Sequence, residues 1–336
     1  IMKQIDKELN KALSKMRSDS RVKECFQLEN SDCSKGIIKA HSLQRNGVLN
    51  LIEDEVDGNK LVYTFSRPIR KVGEKISGFE GVGKGNASTF TGFCGKHDKE
   101  LFKEIEDKEF DISNDEHIFL ASYRSYAKEY HEKKQSLKGF QENEHMNKQM
   151  NKKLQAQLVD GSSIANSEGE VMRKRLNEIQ KAKSFDDIET LTYTLDYCVP
   201  VACASVFTPP FSYKGTVLNL STDPSVKYEG VIITVLPTIT STHIILACLP
   251  EHKKSIQYLD ELNQLPDLKL EKAITSILIG EVDNTFISPR LYEKLGSKKQ
   301  EVLLTELEQT SPLLTPRGFF NSKLNLLDSK YKRDEI

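Results

Sequence analysis

The spacing of apolar residues predicts short, mixed elements in the N-terminal third of the chain. Residues 2–17 carry an apolar side chain every three or four positions, which predicts an amphipathic helix. The run IIKAH at residues 37–41 predicts a short extended segment. A helix is expected over residues 42–53, with Ser42 as its N-terminal cap. The turn residues DGN followed by KLVYTF predict a strand that ends near Phe65.

The middle of the chain has the pattern of charged helices. Residues 73–92 are rich in Gly, Ser and Thr and predict a loop, after which FCGKHDKELFKEIE predicts the start of a helix. Long charged helices are expected over residues 114–183. A polar stretch near residues 160–167 is expected to interrupt them as a loop.

From about residue 190 the pattern changes to β-rich runs broken by Pro and Gly, and then to three helical stretches. The tail after Ser311 is expected to be irregular. This order predicts an α+β protein with three segments: an N-terminal module (1–112), a charged helical region (113–188) and a mixed C-terminal domain (189–336). We expect the C-terminal sheet to be mostly antiparallel.

Composition narrows the function classes only slightly. The chain has 48 Lys and Arg residues against 49 Asp and Glu, so no global charge points to nucleic acid. Hydrophobic residues make up 38% of the 336 positions, which is enough for a core. No apolar run approaches the roughly 18–20 residues that span a bilayer, and the start lacks the apolar core of a signal peptide. We therefore expect a cytoplasmic protein without a membrane partner.

The six cysteines fall into two groups with different surroundings. Cys198, Cys203 and Cys248 lie in apolar runs, where a free cysteine behaves as a small hydrophobic residue. The other three lie among polar residues, and a disulfide framework is not expected in a reducing compartment. Their chemistry is therefore expected to be that of metal ligands.

A candidate metal site combines these cysteines with a nearby histidine. Cys94 and His97 form a Cys-x-x-His pair at the start of a predicted helix, where both can face one ion. Cys25 and Cys33 supply a second pair, although seven residues separate them. Four such sulfur and nitrogen ligands suit Zn²⁺. His41 is a fifth candidate, so the pattern leaves open which four residues bind the ion.

The order of these residues resembles that of HNH (ββα-metal) endonucleases on treble-clef zinc folds, over about residues 21–110. The resemblance implies a treble-clef-like module with a structural Zn²⁺. It also implies that His41 is the general base, that Asp98 binds a catalytic Mg²⁺ or Mn²⁺, and that Asn50 or Asn46 orients the base. Two departures are the long gap between His41 and Cys94 and an Asp in place of the last His. The segment STFTGFCGKHDKELF also resembles a signature of an uncharacterised bacterial family, which implies no function.

A local basic stretch offers a way to hold a phosphate backbone. Residues 59–97 contain seven Lys or Arg residues against two Glu, and such a patch binds phosphates without reading sequence. The residues that we expect to contact nucleic acid are Arg67, Arg70, Lys71, Lys75 and Lys84. A metal-dependent nuclease is the leading hypothesis. The alternative is a non-catalytic, zinc-stabilised binding or sensor protein that recognises a protein or nucleic acid.

Two further hypotheses concern the helical region. The helices could serve as an oligomerising hairpin or as a surface for a protein partner, or they could form an ordinary solvated layer. The spacing R124-SYAKEY-H131 resembles the Arg-x(4–6)-His motif of HEPN ribonucleases. Residues seven apart point the same way on a helix, so Arg124 and His131 are expected on one face.

Overall fold

The chain folds into two compact units, each assembled from separated stretches. The computed structural model describes residues 19–34, 36–65, 78–142, 152–220, 226–310 and 320–333, so the predicted helix at 2–17 lies outside the described residues. The first unit comprises Ile1–Ala40, Phe90–Leu101 and Ala127–Lys183. The second comprises His41–Thr89, Phe102–Tyr126 and Ser184–Ile336. This division cuts across the three contiguous segments predicted from sequence.

The fold is α+β, as predicted. In chain order, the described strands are β1 (Ile37–His41), β2 (Asp54–Val56), β3 (Asn59–Thr64), β4 (Glu80–Val82), β5 (Thr89–Cys94), β6 (Glu189–Leu195), β7 (Val201–Phe207), β8 (Val231–Pro237), β9 (Thr242–Cys248) and β10 (Thr285–Ile287). The described α-helices are α1 (Val48–Ile52), α2 (Gly95–Leu101), α3 (Lys103–Asp107), α4 (Asp115–Glu142), α5 (Lys152–Ala182), α6 (Lys253–Asn263), α7 (Asp267–Gly280) and α8 (Pro289–Gln309).

The first unit is built mainly from helices around a small sheet. β1 pairs with β5, and α2 follows β5 directly in the chain. Aromatic side chains make its core: the Phe26 ring lies 6.2 Å from that of Phe93 and 5.4 Å from that of Tyr130, both in edge-on geometry. Such pairs combine a large buried area with favourable ring electrostatics. The segment that carries Cys25 is thereby packed against α4.

The predicted loop near residues 160–167 is wrong, because α5 continues through it. Gly161 and the serines beside it lower helix propensity by only about 1–2 kcal/mol together, and none of them breaks a helix as proline does. The Ser163 hydroxyl also donates to the carbonyl of Val159, one turn earlier, so it is satisfied within the helix.

The second unit contains an eight-stranded sheet whose described pairings are all antiparallel. Its order is β2-β3-β10-β7-β8-β9-β6, and β4 also pairs with β3. β10 joins two distant parts of the chain, because Phe286 pairs with Thr64 on one side and Ala202 on the other. The antiparallel sheet expected for residues 189–336 is confirmed, and residues 54–64 together with Glu80–Val82 complete it.

Both faces of this sheet are covered, which explains why β7 is apolar throughout. Leu262, Ile274, Leu278 and Leu291 of the C-terminal helices belong to the buried cluster on one face. The other face packs against residues that lead into and form α1. All seven residues of β7 are buried as a result. A strand covered on both sides loses the alternation of apolar and polar residues.

The helix predicted over residues 42–53 is shorter than expected. It begins at Val48, and Ser42 does not cap it. The Ser42 hydroxyl instead lies 2.9 Å from that of Ser88 and accepts a bond from the Asn284 amide. Tertiary hydrogen bonds have therefore replaced the local cap that the sequence suggested.

Within the described ranges, no helix combines the length and the apolar character that crossing a membrane requires. The last part of the chain is irregular where it is described, apart from a short 3-10 turn at Ser329–Tyr331, while residues 311–319 lie outside the description.

Candidate metal centre

Four side chains that lie far apart in the sequence meet in the first unit. Cys25 lies in the extended segment that packs on β5, and Cys33 follows the 3-10 turn Asn30–Asp32. Cys94 is the last residue of β5, and His97 lies in the first turn of α2. The junction between β5 and α2 brings the two side chains together, and the His97 backbone N–H also donates to Cys94 Sγ at 3.4 Å.

The distances among these donors fit a single bound ion. His97 Nδ1 lies 3.4 Å from Cys25 Sγ, 3.5 Å from Cys33 Sγ and 3.4 Å from Cys94 Sγ. All four donor atoms lie within 4.8 Å of one another, and the cysteines are free thiols. Three sulfurs placed evenly around one nitrogen form a set that could hold a metal ion.

The three thiols differ in how readily they ionise. Burial opposes ionisation of Cys94, but N–H and hydroxyl donors from His97 and Ser34 outweigh it and lower its pKa to about 6. Burial and the neighbouring Cys25 thiol raise the pKa of Cys33 to about 12, and burial also raises that of Cys25. Metal binding at this set therefore has to displace protons from Cys25 and Cys33.

The loop that carries Cys25 is held by one arginine of α5. Arg173 donates from Nε to the carbonyl of Phe26 (2.8 Å), and from Nη2 to the carbonyls of Cys25 (2.9 Å) and Gln27 (3.1 Å). Its Nη1 bonds Glu24 Oε1 at 3.0 Å. A planar guanidinium suits this task, since its five N–H groups have fixed directions. Arg173 therefore fixes three consecutive carbonyls around a metal-ligand candidate.

A second charged contact lies beside His97. Asp32 Oδ2 is 3.8 Å from His97 Nε2, the ring nitrogen that faces away from the sulfurs, and Asp32 also pairs with Lys96. A carboxylate near the outer nitrogen favours the tautomer in which Nδ1 is free to bind a metal. The Asp32 contact thus favours a His97 ring whose Nδ1 can act as the fourth donor of the cluster.

The residues assigned from the HNH resemblance lie in both units. His41 belongs to the second unit, and its Nε2 lies 3.2 Å from the carbonyl of Lys84, an acceptor to which it donates. Asn50, in the same unit, accepts from Lys84 Nζ. Asp98 belongs to the first unit and lies in α2 directly after His97. His41 is not part of the four-residue group, and the catalytic roles stay predictions.

The predicted phosphate-binding residues are only partly described. Arg67, Arg70, Lys71 and Lys75 lie outside the described residues. Lys84 forms an ion pair with Glu53 at 2.9 Å besides its bond to Asn50. Its ammonium group is thus engaged inside the second unit. The interface with nucleic acid stays a prediction.

Both residues of the ribonuclease-like spacing are buried. Arg124 is 3% exposed and pairs with Glu106 at 2.7 Å. His131 is 1% exposed, and its ring nitrogens lie against the carbonyls of Ala127 and Glu24. Neither side chain is exposed at the outer surface of the described structure.

Sequence reasoning missed Arg173, although a signal was present. It is one of three adjacent basic residues, Arg173, Lys174 and Arg175, which look alike in the sequence. The buried Leu176 and Ile179 mark the inner face of α5, and Arg173 shares that face three positions before Leu176. Helical phase could therefore have singled it out.

No protein-family model, curated protein or solved structure matches this chain.

Proposed function

We propose that this chain is a zinc-stabilised binding protein in which zinc has a structural role. The observation that carries the proposal is the closed group of Cys25, Cys33, Cys94 and His97, which supplies four donors from the protein itself. Structural zinc sites have four protein ligands, whereas catalytic zinc sites use three and keep a position for water or substrate. The chemistry of the donors therefore favours stability over catalysis at this ion.

The spacing of the donors also agrees with the size of zinc. Zn–S bonds of about 2.3 Å and a Zn–N bond of about 2.05 Å in a tetrahedron place sulfur and nitrogen about 3.6 Å apart. The three distances from His97 Nδ1 are 3.4–3.5 Å. Mg²⁺ prefers oxygen ligands and octahedral geometry, so it suits this group poorly.

Zinc at this position would join two stretches of the first unit that lie about 60 residues apart in the sequence. Cys25 and Cys33 belong to a segment with little regular structure, and Cys94 and His97 belong to the junction of β5 with α2. Structural zinc in small modules contributes on the order of 10 kcal/mol to folding. Its removal is therefore expected to unfold the Cys25 segment together with its packing on β5.

The direct test is the metal content of protein purified without chelator. We expect one zinc per chain in the wild type, measured by plasma mass spectrometry, and no zinc in Cys94→Ser. The matched control is Cys198→Ser, which alters a buried cysteine of the second unit and should retain its zinc. A wild-type chain without zinc, or a Cys94→Ser chain that keeps it, would refute the structural-zinc proposal.

The nuclease hypothesis is tested on the same preparations. Wild type and His41→Ala are incubated with plasmid DNA and with single-stranded RNA in millimolar Mg²⁺ or Mn²⁺. A binding protein leaves both substrates intact. Cleavage by the wild type that disappears in His41→Ala, with zinc content unchanged, would replace the binding function with the metal-dependent nuclease.

A further inference from the structure

The second unit contains a cavity of about 500 Å³, apart from the metal centre. Its walls come from α1 and the turn before it, from α3 and the residues after it, from α4, and from β8 and the β8–β9 turn. Small-molecule pockets have volumes of about 300–1,000 Å³, so this cavity falls in their range. Val48, Leu51, Phe110 and Leu236 give it an apolar lining.

The rim of the cavity is also apolar. Ile239, in the β8–β9 turn, is 77% exposed, although the turn around it is well bonded by Thr238 and Ser241. An exposed isoleucine at the mouth of an apolar cavity extends the apolar surface that a ligand could cover. The lining and rim therefore favour a ligand with an extended apolar body.

One buried polar atom in the wall lacks a partner. Arg124 is 3% exposed, and its Nη2 donates to Glu106. In the part of the chain that the structure describes, Arg124 Nε is the one buried side-chain nitrogen or oxygen of the lining without a hydrogen-bond partner. A buried donor without an acceptor costs about 1–3 kcal/mol, so an acceptor supplied by a ligand would relieve that cost.

The other polar groups of the wall are already engaged or lie at its edge. The Thr234 hydroxyl bonds Ser125, and the Gln44 amide donates to a backbone carbonyl. Lys108 lines the cavity and pairs with Glu104 in an exposed contact that a ligand can replace at little cost. Glu109 is the one acidic residue of the lining, against the two cations Arg124 and Lys108.

We propose that this cavity binds an apolar molecule with a single carboxylate, anchored at Arg124 with Lys108 beside it. An apolar cavity of about 150 Å³ holds benzene, which has six carbon atoms, so about 500 Å³ has room for about 20 non-hydrogen atoms. Arginine matches a carboxylate with two parallel bonds. Because Nε is shielded, the guanidinium has to turn toward the cavity, and Glu106 is its one ion-pair partner among the described residues.

The proposal rests on the binding function given above but not on its zinc. The probe is dodecanoate, which fits the size, and 1-dodecanol is the matched neutral compound. The natural sequence has no tryptophan, so Ile239→Trp places a single indole at the rim as a reporter. We expect dodecanoate to shift the emission of this tryptophan to shorter wavelength with one site per chain. Calorimetry on the wild type should give dodecanol a Kd at least tenfold weaker.

Two variants locate the site. Ala121→Leu adds volume at a buried position of the wall and should weaken dodecanoate at least tenfold. Arg124→Met keeps the length of the side chain but removes the guanidinium, and it should bring dodecanoate down to the affinity of dodecanol. The control is Leu268→Ala, an exposed apolar position of α7 outside the lining, which should bind like the wild type. Circular dichroism confirms that each variant is folded.

Three results would overturn the assignment: no binding of dodecanoate to the wild type, equal affinity for dodecanol, or undiminished binding by a folded Ala121→Leu. If Ala121→Leu does not fold, an Ile239→Trp emission that dodecanoate leaves unchanged overturns it equally. Zinc content is measured on the same samples, so the two proposals fail separately. If dodecanoate binds but the protein contains no zinc, only the structural-zinc proposal fails. If the protein contains zinc but does not bind dodecanoate, only the carboxylate-site proposal fails.

Discussion

Replacing Arg173 with alanine tests whether one side chain of α5 holds the candidate metal loop in place. The substitution removes the bonds to the carbonyls of Cys25, Phe26 and Gln27 and the ion pair with Glu24, whose distances are 2.8–3.1 Å. The three carbonyls lose the guanidinium as a donor, although that of Phe26 keeps the Asn177 amide at 3.3 Å. The contact is also a packing contact, because the guanidinium lies 5.7 Å from the centre of the Phe26 ring.

The expected cost follows from the kind of bonds that are lost. One hydrogen bond to a charged group contributes about 1.5–3 kcal/mol, but bonds that share one side chain do not add. Breaking a buried charged network typically costs about 3–5 kcal/mol. We therefore expect Arg173→Ala to destabilise the zinc-loaded first unit by about 3–5 kcal/mol. Residues that orient metal ligands typically change metal affinity by about 10–100-fold, and the same loss is expected for zinc.

The assay combines urea unfolding with competition for zinc by a chromophoric chelator. The matched control is Lys174→Ala, the next position along the same helix, whose side chain is 72% exposed and whose pair with Glu178 is 4.0 Å long. Exposed pairs contribute about 0–1 kcal/mol, so this variant should stay close to the wild type. Arg173→Lys keeps the positive charge but loses the planar guanidinium, so its stability and zinc affinity should lie between those of the two alanine variants. Equal stability and zinc affinity for Arg173→Ala and Lys174→Ala would show that the loop does not depend on this contact.

Two further predictions concern the second unit and α5. Burial lowers the pKa of His243, so the unfolded chain binds the proton more readily, and stability should fall as the pH drops below the unfolded value of about 6.5. Unfolding of the second unit at pH 7.5 and 5.5 should show this loss, and His243→Gln should reduce it; an unchanged pH dependence would contradict the cause. Gly161→Ala should stabilise α5 by about 0.5–1 kcal/mol, because a Cβ there meets nothing within 4 Å and the position is helical. A thermal melt without any gain would argue for the loop that the sequence suggested.

The sequence by itself determined the local features of this protein. The Cys94-x-x-His97 spacing places two donors on one side of a strand–helix junction wherever that junction occurs, so the pair was predictable from neighbours in the chain. The apolar runs that became β7, β8 and β9 were also visible in the sequence, because Val, Ile and Thr are enriched in strands. The α+β class followed from the order of such elements.

Tertiary structure decided what those features are used for. Ser42 had the sequence of a helix cap and became a partner of Ser88 and Asn284, because burial makes any available bond worth more than a local one in water. Residues 54–64 joined the C-terminal sheet through β10, a three-residue strand too short to leave a pattern. Long-range pairings of this kind depend on which surfaces remain to be covered, and no local spacing encodes that.

Tertiary structure also decided the roles of the arginines at the metal centre and at the cavity. Arg173 and Arg124 are ordinary basic residues in charged helices until folding buries them, one beside three carbonyls and the other in the wall of a cavity. A charge acquires a specific role only when its surroundings remove the water that would otherwise solvate it. The ligands Cys94 and His97 could therefore be found in the sequence, whereas the groups that Arg173 and Arg124 contact, and hence their roles, are visible only in the fold.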